Sequence, residues 1–214
     1  MHILVFLAAL LFAGVGNLLY GLPKVKKYFR LAGRQRAFWN QPWAIAVVAG
    51  LAVCAAVIAR FGSINLLLMF PLLTLGTALT VIDAGTQRLP RSMTAVFLVL
   101  VVVAVILAGF ITGQWVKPAY ALIVALGTFI LLLPGTFVRH GIGVGDLRLA
   151  PLLVGLATCS SWHCLLAMGI LTVLGAGCWA IYLVIVKKAS RSTCFAFGPW
   201  LLTATYIALL VVPR

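Results

Sequence analysis

Asp83 and Asp146 are the two acidic side chains of the 214-residue chain, so any reaction that needs a carboxylate must use one or both of them. Two carboxylates that approach within a few Å do not both ionise easily, and they share a proton. One of them can then act as a base toward a water molecule while the other acts as an acid toward a carbonyl oxygen. The pair is therefore suited to the chemistry of an aspartic protease.

The sequence before Asp146 is rich in glycine and reads His-Gly-Ile-Gly-Val-Gly-Asp. Alternate glycines such as Gly143 and Gly145 can take positive φ angles and let an extended peptide pass close to the backbone. That property suits a carboxylate that must meet the main chain of a substrate. A second interpretation makes Asp146 an N-cap, whose carboxylate accepts hydrogen bonds from the first N–H groups of the following helix.

Asp83 ends an apolar segment and precedes Ala-Gly-Thr-Gln-Arg-Leu-Pro. Gly85 and Pro90 in this stretch predict a tight connection to the next apolar segment. The alternative is a surface Asp beside Arg88. A negative charge at the C-terminal end of a helix opposes the helix dipole, so stability is a poor reason for an Asp at this position.

Other protease chemistries lack their characteristic residues in this sequence. There is no His-Glu-x-x-His motif, and a Cys/His enzyme would have to use His140 or His163. The cysteines form no Cys-x-x-Cys pair, so we expect no metal and no cofactor. A disulfide between Cys159 and Cys164 would need an oxidising compartment and a close approach of their Cα atoms.

The elements that position these residues must be membrane helices, because 64% of the residues are hydrophobic and 8% are charged, with a mean hydropathy of +1.22. Soluble domains carry about 25% charged residues. A spanning helix needs about 20 apolar residues. The sequence predicts an all-α, polytopic membrane helix bundle of about eight transmembrane helices; six or seven also fit, because Pro151 interrupts the sixth. The predicted spans are residues 2–22, 41–59, 64–82, 93–112, 118–137, 145–160, 163–186 and 195–212.

The basic residues predict the orientation of the chain, because short cytoplasmic loops carry an excess of Lys and Arg. With eight spans, one side has only Arg60, Lys117 and Arg214. The other side, predicted to be cytoplasmic, holds both Asp residues and these basic residues: Lys24, Lys26, Lys27, Arg30, Arg34, Arg36, Arg88, Arg91, Arg139, Arg148, Lys187, Lys188 and Arg191. Both termini are then outside the cytoplasm.

Residues 1–214 form a single integral-membrane domain by this interpretation, with residues 24–40 as a short basic cytoplasmic loop. The formal net charge of +14 points to anionic lipid headgroups as partners and not to nucleic acid, which would require an aqueous basic face. We expect the loop to lie on the headgroups through four aromatic anchors, Tyr28, Phe29, Phe38 and Trp39.

Three motifs in order resemble those of the type IV prepilin peptidases, intramembrane aspartic proteases of bacterial inner membranes. They are Asp-Ala-Gly-Thr-Gln-Arg-Leu-Pro at 83–90, Gly-Val-Gly-Asp at 143–146 and Phe-Gly-Pro at 197–199. The resemblance covers roughly residues 60–205. It implies removal of the leader peptide from type IV prepilins or pseudopilins at the cytoplasmic face of the inner membrane.

The resemblance also implies roles for individual residues. Asp83 and Asp146 would be the catalytic pair. Motif residues that would contact the substrate or shape the backbone are Pro90, Gly143, Gly145, Arg148, Gly198 and Pro199. Family members commonly carry Lys at the position of Arg148. Many also have a larger cytoplasmic loop with Cys-x-x-Cys pairs. The loop 24–40 has no cysteine, so the resemblance implies peptidase activity and gives no support for methyltransferase activity.

Two other functions use the same residues differently. A carboxylate-dependent proton or cation transporter would also place acids in membrane segments, but it favours acids near the midplane. A non-enzymatic membrane assembly protein would tolerate the loss of either Asp. Activity measurements on Asp variants separate both from a protease.

Cleavage by a carboxylate pair needs no metal ion. Addition of EDTA to the purified protein should therefore leave the cleavage rate of a prepilin unchanged. Loss of activity that added zinc restores would contradict the carboxylate mechanism and indicate a metalloprotease.

Overall fold

The computed structural model describes residues 22–31, 48–56, 63–87, 89–137, 143–186 and 196–212, and within them every regular element is a helix. The prediction of an all-α membrane bundle is confirmed. Nearly all of the predicted first span and the ends of the second lie outside the described residues. The boundaries of the other predicted spans differ from the observed helices by a few residues.

Eight helices follow one another along the described residues. They are α1 (Leu22–Leu31), α2 (residues 48–56), α3 (Ile64–Thr86), α4 (Arg91–Thr112), α5 (Val116–Leu132), α6 (Val144–Ser160), α7 (Trp162–Ile185) and α8 (Gly198–Val211). A 3₁₀ turn, Leu133–Thr136, extends α5. Helices α3, α4, α5 with its 3₁₀ turn, and α7 are long and apolar enough to cross a membrane, whereas α6 and α8 are shorter.

Helix α6 lies at the centre of the bundle and contacts α3, α4, α5, α7 and α8. Leu149, Leu153 and Leu156 are fully buried along its length. Pro151, which made the predicted sixth span doubtful, is buried inside an uninterrupted α-helix. Packing on all sides by neighbouring helices explains why a 17-residue helix with an internal proline is stable here.

Helix α3 changes its winding in the middle. Pro71 ends the first α-helical part, and a π-helical turn, Leu72–Gly76, follows before the α-helix resumes at Thr77. The Thr74 hydroxyl donates toward the carbonyl oxygens of Phe70, at 3.0 Å, and Pro71, at 2.9 Å. This side chain therefore supplies a donor where the change of winding disturbs the regular backbone bonds.

The outer helices expose their apolar side chains. Phe110 of α4, Ile130 of α5 and Val173 of α7 are 67%, 67% and 70% exposed. A soluble protein would not leave such large apolar areas in water. In a bilayer these side chains contact lipid tails, which are as apolar as they are.

One buried polar cluster joins α3, α6 and α8. Asn65 donates through its amide nitrogen to the carbonyl oxygens of Leu209, at 3.3 Å, and Val212, at 3.4 Å, and its Oδ1 accepts from the Ser160 hydroxyl at 2.7 Å. Asn65 precedes Asp83 by 18 residues on α3, about 27 Å along a helix. The cluster therefore ties the three helices together at the end of the bundle opposite the carboxylates.

Asn65→Ala should destabilise the protein, because it leaves the Ser160 hydroxyl and two carbonyl oxygens without their partner in a buried place. We expect a loss of about 1–3 kcal/mol in the free energy of unfolding, measured by SDS titration of the purified protein. Thr128→Val, which removes a hydroxyl that bonds only within its own helix, is the matched control and should cost less than about 0.5 kcal/mol. Equal losses in the two variants would show that the cluster does not hold the helices together.

Candidate active site

Asp83 lies in the last turn of α3, which continues to Thr86. Its side chain is 5% exposed, and its Oδ2 atom is buried without a hydrogen-bond partner among the described residues. The helix ends at Gln87, whose φ is 52° and whose backbone N–H donates to the Asp83 carbonyl oxygen at 2.8 Å. A buried carboxylate oxygen without a partner is costly, so stability does not explain this residue.

The tight connection predicted in the stretch that contains Gly85 and Pro90 lies between Thr86, the last residue of α3, and Arg91, the first residue of α4. Gly85 lies inside α3, and the chain turns two residues later, at Gln87. A β-carbon on Gly85 would collide with the aromatic ring of Phe29 in α1. The glycine is needed there because α1 packs directly on the end of α3 that carries Asp83.

Gly198 is the first residue of α8 and lies against the Asp83 carboxyl group. A β-carbon built on Gly198 would lie 2.5 Å from Oδ2 and 3.3 Å from Cγ of Asp83, so the site has no room for a side chain there. The backbone N–H of Gly198 faces this carboxyl group. The first N–H groups of a helix carry partial positive charge, so α8 directs a favourable dipole at Asp83.

Asp146 lies in the first turn of α6, three residues after the N-cap Gly143, and is half-buried. The interpretation of Asp146 as the N-cap is therefore wrong. A β-carbon built on Gly143 would lie 3.4 Å from Asp146 Oδ2, so the carboxylate folds back toward the start of its own helix. The carboxyl groups of Asp83 and Asp146 are close enough to repel each other electrostatically.

The expectation of positive φ at the glycines before Asp146 is also wrong for those that the structure describes. Gly143 has φ −64°, and Gly145 is helical. A β-carbon on Gly145 would lie 2.9 Å from Leu89 Cδ1 and 3.0 Å from Leu89 Cβ. Gly145 therefore lets the α3–α4 connection pack against the first turn of α6. Asp83 lies just before this connection and Asp146 lies in that turn, so the contact brings the two residues to the same end of the bundle.

Pro90 follows Leu89 and is the N-cap of α4. It is buried, and its carbonyl oxygen accepts from the backbone N–H groups of Met93, at 3.1 Å, and Thr94, at 3.0 Å. The Thr94 hydroxyl donates to the same oxygen at 2.9 Å. Pro90 thus sets the start of α4 directly after the residue that contacts α6.

The two remaining motif residues, Arg148 and Pro199, do not pack against a carboxyl group as Gly198 does. Arg148 is exposed on α6 and forms no ion pair with either Asp, although all three residues are described. Pro199 is half-buried in the first turn of α8, where its missing N–H costs no helical hydrogen bond. Asp83 therefore packs against Gly198 and Asp146 lies beside Gly143, whereas Arg148 is not paired with either carboxyl group.

Helix α1 packs beside the site, and its buried face was not predicted from the sequence. Val25 and Phe29 are 2% and 6% exposed and pack on the protein, so the prediction of Phe29 as a lipid anchor is wrong. Lys24 Nζ donates to the Ser92 hydroxyl at 3.3 Å. The i, i+4 spacing of Val25 and Phe29 is the signal of a buried helix face. Phe38 and Trp39, two other predicted anchors, lie outside the described residues.

The described residues contain no group of three or more His, Cys, Asp or Glu side chains that could hold a metal ion. Cys159 and Cys164 are both buried and do not form a disulfide. The chemical groups that the described residues bring together at this end of the bundle are thus the two carboxyl groups and the N-termini of α6 and α8.

Residues 66–185 match the sequence profile of the type IV leader peptidase family. The chain belongs to this family. The matched region runs from α3 to α7 and includes both Asp residues, whereas Gly198 lies beyond it.

The prepilin leader peptidase/N-methyltransferase of Pseudomonas putida is 32% identical to this chain over 203 residues. The alignment covers 87% of this chain and 65% of the relative, so the chain spans slightly less than two thirds of that protein. No solved structure matches the chain significantly.

Gly198→Ala should impair catalysis without unfolding the bundle, because its methyl group would displace the Asp83 carboxyl group. Misplacing a catalytic group by about 1 Å can cost about 100-fold in rate, and we expect a loss of that order in prepilin cleavage. Gly127→Ala in α5 is the matched control, because a β-carbon there meets nothing within 4 Å. Wild-type cleavage by the Gly198 variant would mean that the contact with Asp83 is not part of the active site.

Proposed function

We propose that this protein is an intramembrane aspartic endopeptidase that removes the leader peptide from a type IV prepilin or pseudopilin. The observation that carries the proposal is the meeting of the two acidic residues of the chain at one end of the bundle, where Asp83 is buried with an unpartnered oxygen. Membership of the type IV leader peptidase family supports the substrate class.

The proposed reaction uses one proton shared between the carboxyl groups. The ionised carboxylate takes a proton from a water molecule, whose oxygen then attacks the scissile carbonyl carbon. The protonated carboxyl group gives its proton to the carbonyl oxygen, which produces a neutral tetrahedral intermediate. Collapse of this intermediate breaks the C–N bond, and the amine leaves with a proton returned from the carboxyl pair.

The helix termini fit this chemistry. The α8 N-terminus faces Asp83, and Asp146 lies in the first turn of α6, so each carboxyl group has a helix N-terminus beside it. These dipoles offset part of the cost of holding negative charge in a membrane protein. Position near the ends of α3 and α6, rather than at their centres, favours a protease over a transporter with acids at the midplane.

The proposed location is the cytoplasmic face of a bacterial inner membrane. The described basic residues near the carboxylates include Lys24, Lys27, Arg91 and Arg148, and an excess of Lys and Arg is typical of the cytoplasmic side. Anionic lipid headgroups would neutralise part of this charge. The loop 24–40 lacks the Cys-x-x-Cys pairs that many family members carry, so we propose peptidase activity without methylation. The new N-terminus of the product should then be a free amine.

Asp83→Asn and Asp146→Asn should each reduce prepilin cleavage by at least about 1,000-fold, because Asn keeps the shape of Asp but can neither take up nor release the shared proton. Cleavage is measured with purified protein in lipid and a purified prepilin. Thr86→Ala, near Asp83 on α3, is the control for substitutions at this end of the bundle and should remain active.

The Asp variants should also unfold at the same SDS concentration as the wild type or a higher one, because neither acid stabilises the apolar bundle. Full activity of either variant would overturn the assignment of the pair. Cleavage lost together with folding would assign the Asp residues to stability and not to catalysis.

A further inference from the structure

Trp200 lies in the first turn of α8, two residues after Gly198, and packs on the opposite neighbour from Asp83. Its indole ring lies against Gly175 of α7, where a β-carbon would be 2.5 Å from Trp200 Cε3 and 2.9 Å from Cζ3. Carbon atoms in contact normally lie about 3.5–4.0 Å apart, so the ring occupies the space that a side chain at position 175 would need. Trp200 thus packs directly on the backbone of α7.

An aromatic side chain of α7 borders the same ring. Trp179 lies one helical turn after Gly175, and its ring centroid is 6.1 Å from that of Trp200. Trp179 also stacks on Tyr182, with ring centroids 5.2 Å apart. Residues four positions apart lie on the same face of a helix, so Gly175 and Trp179 together form the surface on which the Trp200 ring rests.

Trp200 and Gly198 lie on nearly opposite faces of α8, because residues two positions apart point about 200° apart around a helix axis. Trp200 faces α7, whereas Gly198 faces the Asp83 carboxyl group of α3. The first turn of α8 is therefore held between α7 on one side and Asp83 on the other.

The start of α8 also has little room to move. A β-carbon built on Gly198 would lie 2.5 Å from Asp83 Oδ2 and 3.6 Å from Leu149 Cδ2 of α6, so the α8 backbone is close to both neighbours. The N-cap residue, Phe197, has no polar side chain that could fix the helix start by capping it. Side-chain packing must therefore determine how far the Gly198 N–H lies from the Asp83 carboxyl group, and Trp200 supplies that packing on the α7 side.

We propose that Trp200 is a positioning residue for the carboxyl pair. Its ring, seated against Gly175, sets the position of the first turn of α8 and thereby the contact of Gly198 with Asp83. Trp200 itself does not touch the substrate in this arrangement. The proposal rests on the proposed peptidase function and adds a residue to its active site that lies outside the three sequence motifs.

The first test adds one methyl group to α7. Gly175→Ala forces the Trp200 ring to move by about 1 Å, which displaces the first turn of α8 toward Asp83. A shift of this size at a catalytic group can lower the rate about 100-fold, and we expect that loss in kcat for prepilin cleavage with KM unchanged. Gly177→Ala, on the same helix, is the matched control and should keep the wild-type kinetics, because a β-carbon there meets nothing within 4 Å.

The second test restores the space by shortening the other side chain. A β-carbon at position 175 would lie 3.5 Å from Trp200 Cδ2, an ordinary contact, and a leucine side chain ends at its Cδ atoms. Trp200→Leu alone leaves a gap beside Gly175 and should lower kcat. Combined with Gly175→Ala it should raise kcat at least about tenfold above that of Gly175→Ala alone, because substitutions of residues in contact are not additive.

All variants are assayed as purified protein in lipid with full-length prepilin, and their unfolding is measured by SDS titration. Wild-type kcat in Gly175→Ala, or a double variant no more active than Gly175→Ala, would overturn the positioning proposal. A raised KM with unchanged kcat would instead place Trp200 in substrate binding, and activity lost together with folding would assign the contact to stability.

Each of these results would overturn the positioning proposal while cleavage by the wild type keeps the peptidase function. Absence of cleavage by the wild type would overturn the proposed function and the positioning proposal with it.

Discussion

The burial of the Asp83 carboxyl group between α3 and the start of α8 is the constraint on which the rest of the structure depends. A membrane interior offers no water to solvate a carboxylate, so the protein itself must supply the surroundings. Gly198 supplies them by having no side chain and by turning its backbone N–H toward Asp83. The N–H is free to face Asp83 because α8 begins at this residue.

Three inner helices form the surroundings of the carboxyl groups, and outer helices separate them from lipid. Helices α3, α6 and α8 are joined by the Asn65 cluster at one end and carry the carboxyl groups and Gly198 at the other. Helices α4, α5 and α7 present apolar side chains to lipid. Gly145 and Gly85 leave no room for a side chain, and this lets Leu89 and Phe29 pack against the helix ends that carry the two Asp residues.

The sequence was sufficient to predict the helical class, the approximate spans and the position of Asp83 and Asp146 at helix ends, because these depend on composition and on local motifs. It was misleading for the glycines. Gly85 and Gly145 were interpreted through backbone freedom, but the structure uses them for close packing against Phe29 and Leu89. Those partners are 56 residues away along the chain in each case, and a single sequence contains no signal that pairs them.

If both carboxyl groups surround one reacting carbonyl, the site should bind a transition-state analogue more tightly than the peptide itself. A prepilin peptide in which a statine-type hydroxyl group replaces the scissile bond is titrated calorimetrically against the protein in lipid nanodiscs. We expect the wild type to bind the analogue at least about 100-fold more tightly than the matching uncleaved peptide, and Asp83→Asn and Asp146→Asn each to remove this preference. Equal binding of the analogue by the wild type and both variants would show that the two carboxyl groups do not act on one carbonyl.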